Sequence, residues 1–300
     1  MFMDILPFER AAQPATALSY AHAGQGRLRR SMIRTFEALA GRSRLQAMYD
    51  DWTSYDKRPF ESVFDAALRV LKVEPNIVGN ENLRAVPRSG GLLLVANHPY
   101  GIIDGLILGH LGMRLRGNVH ILTNSVLCNI PEVQPHLLPV DFDGTPDARR
   151  LTGQTRKRAT QLLSDGQVVA IFPGGGIATA NHPMRGRAVD SIWHPFAGRL
   201  ATLPGVTTLP MHFAGQNSRM FQMASHVSYA LRLAMIFHET RRLEGGALQI
   251  TVGAPLSAAA LQTLHRTDIA RTLRRITMAL AGDGDHALDE AFVWPRHVRF

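Results

Sequence analysis

The chain has one cysteine in 300 residues, so no disulfide can form within it. That usage fits a reducing compartment. Cys128 sits in VLCNIP with no acid or base patterned around it, and it reads as a packing residue rather than a reactive thiol. No run of 18 apolar residues exists, which predicts no membrane-spanning helix. The start, MFMDILPFERAAQPATALSYAHAG, lacks a basic beginning and a continuous apolar middle, so no signal peptide is expected there. Acids are scarce: 24 Asp and Glu stand against 33 Lys and Arg, a formal net charge of +9. Such a balance suits an anionic partner. Zinc-finger spacing, aromatic ribonucleoprotein motifs and heptad-linked basic regions are missing, so that partner is not expected to be nucleic acid. An anionic membrane surface or a phosphorylated substrate fits better. The 13 histidines are scattered, with no His-Glu-x-x-His and no pair of cysteines, so no catalytic metal is expected. No Gly-x-Ser-x-Gly is present, which argues against a serine-hydrolase triad.

What the chain does have is LLLVANHPYGIIDG, residues 92–105. An apolar run predicts a buried strand that ends in Asn97-His98, and Asp104 follows six positions after the histidine. A carboxylate beside an imidazole fixes its tautomer and stabilises the imidazolium, which makes a general base. On a continuous helix, positions six apart point about 240° apart. His98 and Asp104 therefore meet only if Pro99–Gly101 is a non-helical turn and the helix starts near Ile102. Gly101 permits such a turn and Pro99 blocks strand continuation. The alternative is a solvent-facing histidine and an acid placed where helix starts favour acids. No nearby Ser or Cys suits the role of nucleophile, so the hydroxyl to be activated is expected on a substrate.

A second apolar strand, QVVAIF, runs into FPGGG, Phe172–Gly176. This is neither a dinucleotide fingerprint nor a P-loop, because the Gly-x-Gly-x-x-Gly spacing and the Gly-Lys-Ser/Thr ending are both missing. It reads either as a tight turn or as a loop of backbone N–H groups that holds an oxyanion or a phosphate. Thr179 is a candidate further donor. Arg185 and Arg187, about ten residues on, are candidates for phosphate recognition or ordinary solvated arginines.

Periodicity divides the chain into an irregular arm at 1–26, a helical extension at 27–75 and an α/β domain at 76–300. Leu28, Met32, Phe36 and Leu39 share one helical face, and the stretch from Arg27 to Arg44 holds six arginines and one acid. That helix is either packed on the domain or an interfacial helix on anionic lipid, and Gly41 is expected to end it. Helices are also expected at 45–52 and 59–71. From Ile77 the pattern becomes strands at 77–83, 91–97, 118–124, 137–142, 167–172, 206–213 and 248–256. Helices alternate with them at 103–116, 147–163, 195–203, 220–239 and 258–281. Alternation of this kind predicts a mostly parallel central sheet flanked by helices.

Asn97-His98 with its downstream Asp104, Phe172-Pro173 followed by glycines, and the later strand VTTLPMHFAG resemble the blocks of the glycerolipid acyltransferase family over about residues 75–255. The match is to the bacterial lysophospholipid acyltransferase subgroup, also called hemolysin-like, whose block reads Asn-His-Pro-aromatic-Gly-x-x-Asp. Three departures stand out. Five residues separate His98 from Asp104 where four are usual, Gly174 replaces a glutamate, and Asn124 stands at the place of a phosphate-holding arginine. The resemblance implies an acyltransferase fold with His98 and Asp104 catalytic. Substrate contacts are expected from Asn97, Gly101, Asn124, Phe172, Pro173, Gly174, Gly175, Gly176, Thr179, Arg185 and Arg187. It implies an acyl-CoA or acyl carrier protein donor, no permanently bound cofactor, and a lysolipid or amino-acid-derived lipid acceptor rather than glycerol 3-phosphate. The expected location is cytoplasmic, peripheral on the inner face of the membrane. The competing expectations are a non-catalytic lipid-binding protein on the same fold and an esterase or thioesterase.

Overall fold

Leu92–Ala96 (β2) is buried at every residue, because its two faces feed two different cores. Leu92, Leu94 and Ala96 join one cluster, while Leu93 and Val95 join the other. Successive strand side chains point to opposite faces, so a continuous apolar run is what a strand covered on both sides requires. The computed structural model describes residues 41–124, 130–141, 145–282, 288–295 and 297–298, with positions 31, 35 and 38 before them. The arm at 1–26, Cys128 and the apolar face of the expected basic helix lie outside the described residues.

Elements run in the order α1 (Arg42–Tyr55), α2 (Val63–Val70), β1 (Glu74–Val78), α3 (Asn80–Arg84), β2, α4 (Ile102–Arg116), β3 (His120–Asn124), β4 (Leu137–Val140), α5 (Pro146–Ser164) and β5 (Val168–Ile171). They continue through β6 (Thr179–His182), β7 (Arg185–Val189), α6 (Pro195–Ala201), β8 (Thr207–Phe213), α7 (Arg219–Val227), α8 (Tyr229–Arg242), β9 (Ala247–Val252), β10 (Leu256–Ser257), α9 (Ala258–Gln262) and α10 (Ile269–Ala279). The main sheet has the order β1-β9-β8-β2-β5-β3-β4, with β10 paired to β8. From β8 to β4 every neighbour is parallel, while β9 runs antiparallel to β8 and parallel to β1. The mostly parallel α/β architecture is therefore as expected.

One face of the sheet is covered by α1, α2, α4 and α8, through residues such as Leu45, Phe64, Ile107 and Phe237. The other is covered by α5, α6 and α10, through Leu162, Phe196 and Leu273. Phe64 and Leu68 of the expected helical extension thus sit in the same core as β2. Among the described residues, no helix is long and apolar enough to cross a membrane.

Several expected boundaries are corrected. A strand over 77–83 is not formed. β1 stops at Val78, Gly79 takes φ 91°, and a short helix follows. A Cβ at Gly79 would lie 2.4 Å from the Val252 carbonyl oxygen, so the backbone turns there in a way other residues resist. The helix expected at 220–239 is two helices, because Ser228 is extended at φ −159° and ψ 137°. The segment 258–281 also splits, into α9 and α10, and the strand at 248–256 into β9 and β10. Gly41, expected to end the basic helix, stands with φ 88° between helical Ala38, whose carbonyl accepts its N–H at 3.2 Å, and the start of α1. A two-stranded hairpin, β6-β7, was not anticipated.

Candidate active site

The parallel strands place the carboxyl ends of β2, β5 and β3 along one edge of the sheet, and the turn after β2 closes there on a single carboxylate. Asp104, fully buried in the first turn of α4, accepts through Oδ2 from Tyr100 N–H at 2.8 Å and Gly101 N–H at 3.0 Å. The same oxygen lies 2.9 Å from His98 Nδ1. Asp104 therefore caps the helix and engages the histidine at once, so the two readings of the spacing are not exclusive. Gly101 makes the turn possible with φ 91° and ψ −113°, a region closed to other residues. A Cβ at Gly101 would also meet Ile177 Cδ1 at 2.8 Å. Six positions of separation work because Pro99–Gly101 is not helical.

The histidine is held from several sides. Its N–H donates to Asp190 Oδ1 at 3.1 Å, and its carbonyl accepts from Ala178 N–H at 2.7 Å. Phe172 stacks on the imidazole with centroids 3.9 Å apart and planes 18° apart. The His98 side chain keeps 17% exposure while Asp104 has none. A Nδ1–H bonded to a buried carboxylate leaves Nε2 as the basic nitrogen. Before it, Asn97 binds both backbone groups of Phe213: Nδ2 donates to the carbonyl at 2.9 Å, and Oδ1 accepts from the N–H at 2.7 Å. Asn97 thus ties the end of β2 to β8 through both polar atoms of its side chain. Tyr100 adds a second tie, its hydroxyl donating to the Ala214 carbonyl at 2.8 Å. Burial, with the Asp104 charge behind it, raises the Tyr100 phenol above its ordinary value, so it stays protonated.

Phe172–Gly176 forms a turn in which Gly175 N–H donates to the Phe172 carbonyl at 3.0 Å. Pro173 accepts at its carbonyl from His194 N–H at 2.9 Å. A Cβ at Gly174 would come within 3.2–3.4 Å of the Asp190 side chain. Position 174 therefore faces a carboxylate that arrives from elsewhere in the chain. Asp190, at the exit of the β6-β7 hairpin, is buried and also accepts from Trp193 Nε1 at 2.9 Å. Burial raises its carboxyl above the ordinary range, opposed by its bonds to Trp193 and His98.

The remaining candidates do not converge on His98 in the same way. Asn124 ends β3, one strand beyond β5 on the same edge. Thr179 is fully buried; its hydroxyl donates to the Ile177 carbonyl at 3.1 Å and accepts from Arg232 Nη1 at 2.6 Å. That hydroxyl is engaged beneath the loop rather than offered to a ligand. Arg185 and Arg187 are exposed on β7, and Arg185 pairs with His182 at the hairpin end away from Asp190.

Two further residues escaped the sequence reading. One is Asp190. The other is Arg232, which is 3% exposed, donates to Thr179, to Ser225 and to the Ile177 carbonyl, and lies 4.9 Å from both the Phe221 and Trp294 ring centroids. Burial lowers it to about 10. It braces the segment that leads from the glycine turn to Ala178. Neither residue stands in a short motif, and only the tertiary pairing reveals them. Among the described residues no cluster of His, Cys, Asp or Glu could hold a metal.

A strand-end histidine, a buried carboxylate six positions on and a glycine turn against its ring fit the class of acyl-group transferases. Residues 75–214 match the model of the Acyltransferase family. It is similar to the lyso-glycine lipid O-acyltransferase of Phocaeicola vulgatus, at 27% identity over 199 residues, covering 64% of this chain and 67% of that protein. The protein of the same name from Bacteroides thetaiotaomicron is 27% identical over 199 residues, covering 64% of this chain and 69% of its own.

Proposed function

We propose that this acyltransferase moves a fatty acyl group from a thioester donor, acyl-CoA or acyl carrier protein, to a hydroxyl of a lysolipid. The two relatives act, by name, on a lyso-glycine lipid, which favours an amino-acid-derived acceptor over glycerol 3-phosphate. His98 Nε2 removes the acceptor's hydroxyl proton. The oxygen attacks the thioester carbonyl, and the tetrahedral oxyanion collapses with loss of the thiolate. The proton now on His98 goes to that sulfur, so the enzyme returns to its starting state without becoming acylated. Asp104 holds the Nδ1–H tautomer and stabilises the imidazolium. Backbone N–H groups of Gly174 and Gly176 serve the oxyanion or an acceptor anion; Gly175 N–H is already used within the turn. The enzyme works from the inner face of the cytoplasmic membrane as a peripheral protein.

The observation that carries this reading is the 2.9 Å contact of His98 Nδ1 with the buried Asp104 under a stacked Phe172. The test is lipid mass spectrometry after incubating the purified protein with an acyl thioester, with and without a lyso-glycine lipid. Acceptor-dependent formation of the acylated lipid is expected. Free fatty acid at the same rate with or without acceptor identifies a thioesterase, and no consumption of thioester across lysolipid acceptors identifies a binding protein.

A further inference from the structure

Away from the His98 edge, α5 and α6 flank an open groove of about 480 Å³ whose cationic lining is Arg156, Lys157, Arg199 and Arg266, with Phe196 and Thr160 also facing it. Small-molecule sites commonly occupy about 300–1,000 Å³. No acid lines this one. Some nearby arginines are paired: Arg150 with Asp147 on α5, and Arg271 and Arg275 of α10 with Asp289. Among the described residues none of the four groove cations has an ion-pair partner. The gathering is also ordered. Arg156 and Arg199 lie 5.4 Å and 5.6 Å from the Phe196 ring centroid, so two guanidiniums are held over one buried ring. Their field reaches His194, at the start of α6. Burial, then Arg156 and Arg199, push its imidazole below the ordinary value. Uncompensated cations around one concavity bring repulsion that an anionic ligand would relieve.

The groove is joined to the catalytic edge by a short stretch of chain. Phe196 is two residues from His194, whose N–H donates to the Pro173 carbonyl at 2.9 Å. Pro173 follows Phe172, which stacks on His98. We propose that this groove receives the phosphorylated nucleotide end of an acyl-coenzyme A donor, its acyl thioester extending along the α6 side to His98. The proposal rests on the acyl-transfer reading and selects between its two donors. Coenzyme A carries a diphosphate and a 3′-phosphate, and forked guanidinium donors match phosphate oxygens. A groove lined by four cations and no acid, two of them held over one ring, suits the closely spaced phosphates of that nucleotide.

The test uses the full-length protein and a variant with Lys157→Gln, Arg199→Gln and Arg266→Gln, whose folding is checked by circular dichroism and melting temperature. Binding of adenosine 3′,5′-bisphosphate is measured by calorimetry at low ionic strength. Wild type is expected to bind it, and the variant to bind at least about tenfold more weakly. In the transfer assay, the KM for acyl-CoA is expected to rise by a similar factor, erasing its advantage over an acyl-pantetheine that lacks the nucleotide. Equal binding by variant and wild type, or no binding by wild type, overturns the proposal. So does a defect confined to acyl carrier protein, which would make the groove a protein-docking surface. Bisphosphate binding lost in the variant, in a wild type that transfers no acyl group from any thioester, upholds the nucleotide site and removes the acyl-transfer reading.

Discussion

Two segments meet at His98, and they are built on different scales. Residues 97–104 close within eight positions: one carboxylate takes both turn N–H groups and the imidazole. Residues 172–194 travel through a glycine turn and a hairpin, yet return to the same histidine with a stacked ring, an N–H and a second carboxylate. On the proposed reading, the first segment supplies the chemistry and the second fixes where it points. Removing the His98 imidazole from the first should therefore cost turnover with little stability, whereas removing a part of the second should cost some of both.

The largest expected effect comes from the short segment. His98→Ala should lower kcat/KM by about 10²–10⁴-fold, the usual contribution of general-base action, with an unchanged melting temperature. Steady-state kinetics on the folded variant decide this, and near-normal turnover would take the catalytic role away from His98. The long segment should respond differently. Asp190→Asn keeps an acceptor for His98 N–H but places an amide where Trp193 Nε1 also donates. A loss of about 1–3 kcal/mol in stability is expected, with a kcat decrease of about tenfold or less. Denaturant melts beside kinetics measure both. A turnover loss as large as that of His98→Ala, with no loss of stability, would blur the division between the segments.

The smallest effect concerns His194, at the far end of the long segment. Its imidazole should titrate below 6.5 by NMR, and Arg156→Gln or Arg199→Gln should move it upward. Because the unfolded chain takes this proton first, the His194 contribution makes the protein less stable as pH falls from about 6.5 through the lower folded-state value. A titration unmoved by either substitution would mean that the groove arginines do not act on the segment that leads to His98.

The same difference in scale governs what could be read from the chain. Strands β2 and β5 were legible because burial on both faces demands unbroken apolar runs. His98 and Asp104 were legible because a proline and a glycine between them announce the turn that lets them meet. The hairpin was not. The middle of the hairpin, from Asn181 to Arg187, is mostly exposed, and neither TANH nor RGRAV has an apolar alternation to mark a strand. Asp190 then looks like any loop acid until the hairpin returns it to His98. Arg232 looks like one arginine on an amphipathic helix, and only the break at Ser228 and the approach of Ile177 and Trp294 show it buried. Thr179 fits its expected place in sequence, but its hydroxyl is taken by Arg232.

The central claim is that Asp104 acts through His98, as one catalytic unit rather than as a helix cap beside a histidine. A double-mutant cycle on acyl transfer tests it most directly. In the wild-type background, Asp104→Asn is expected to lower kcat/KM by on the order of 10²–10⁴-fold, because an amide cannot stabilise the imidazolium. In the His98→Ala background the same substitution should change the residual rate by less than about threefold, since no imidazole remains to be served. Equal losses in both backgrounds would contradict the account and leave Asp104 as a residue that only shapes the start of α4.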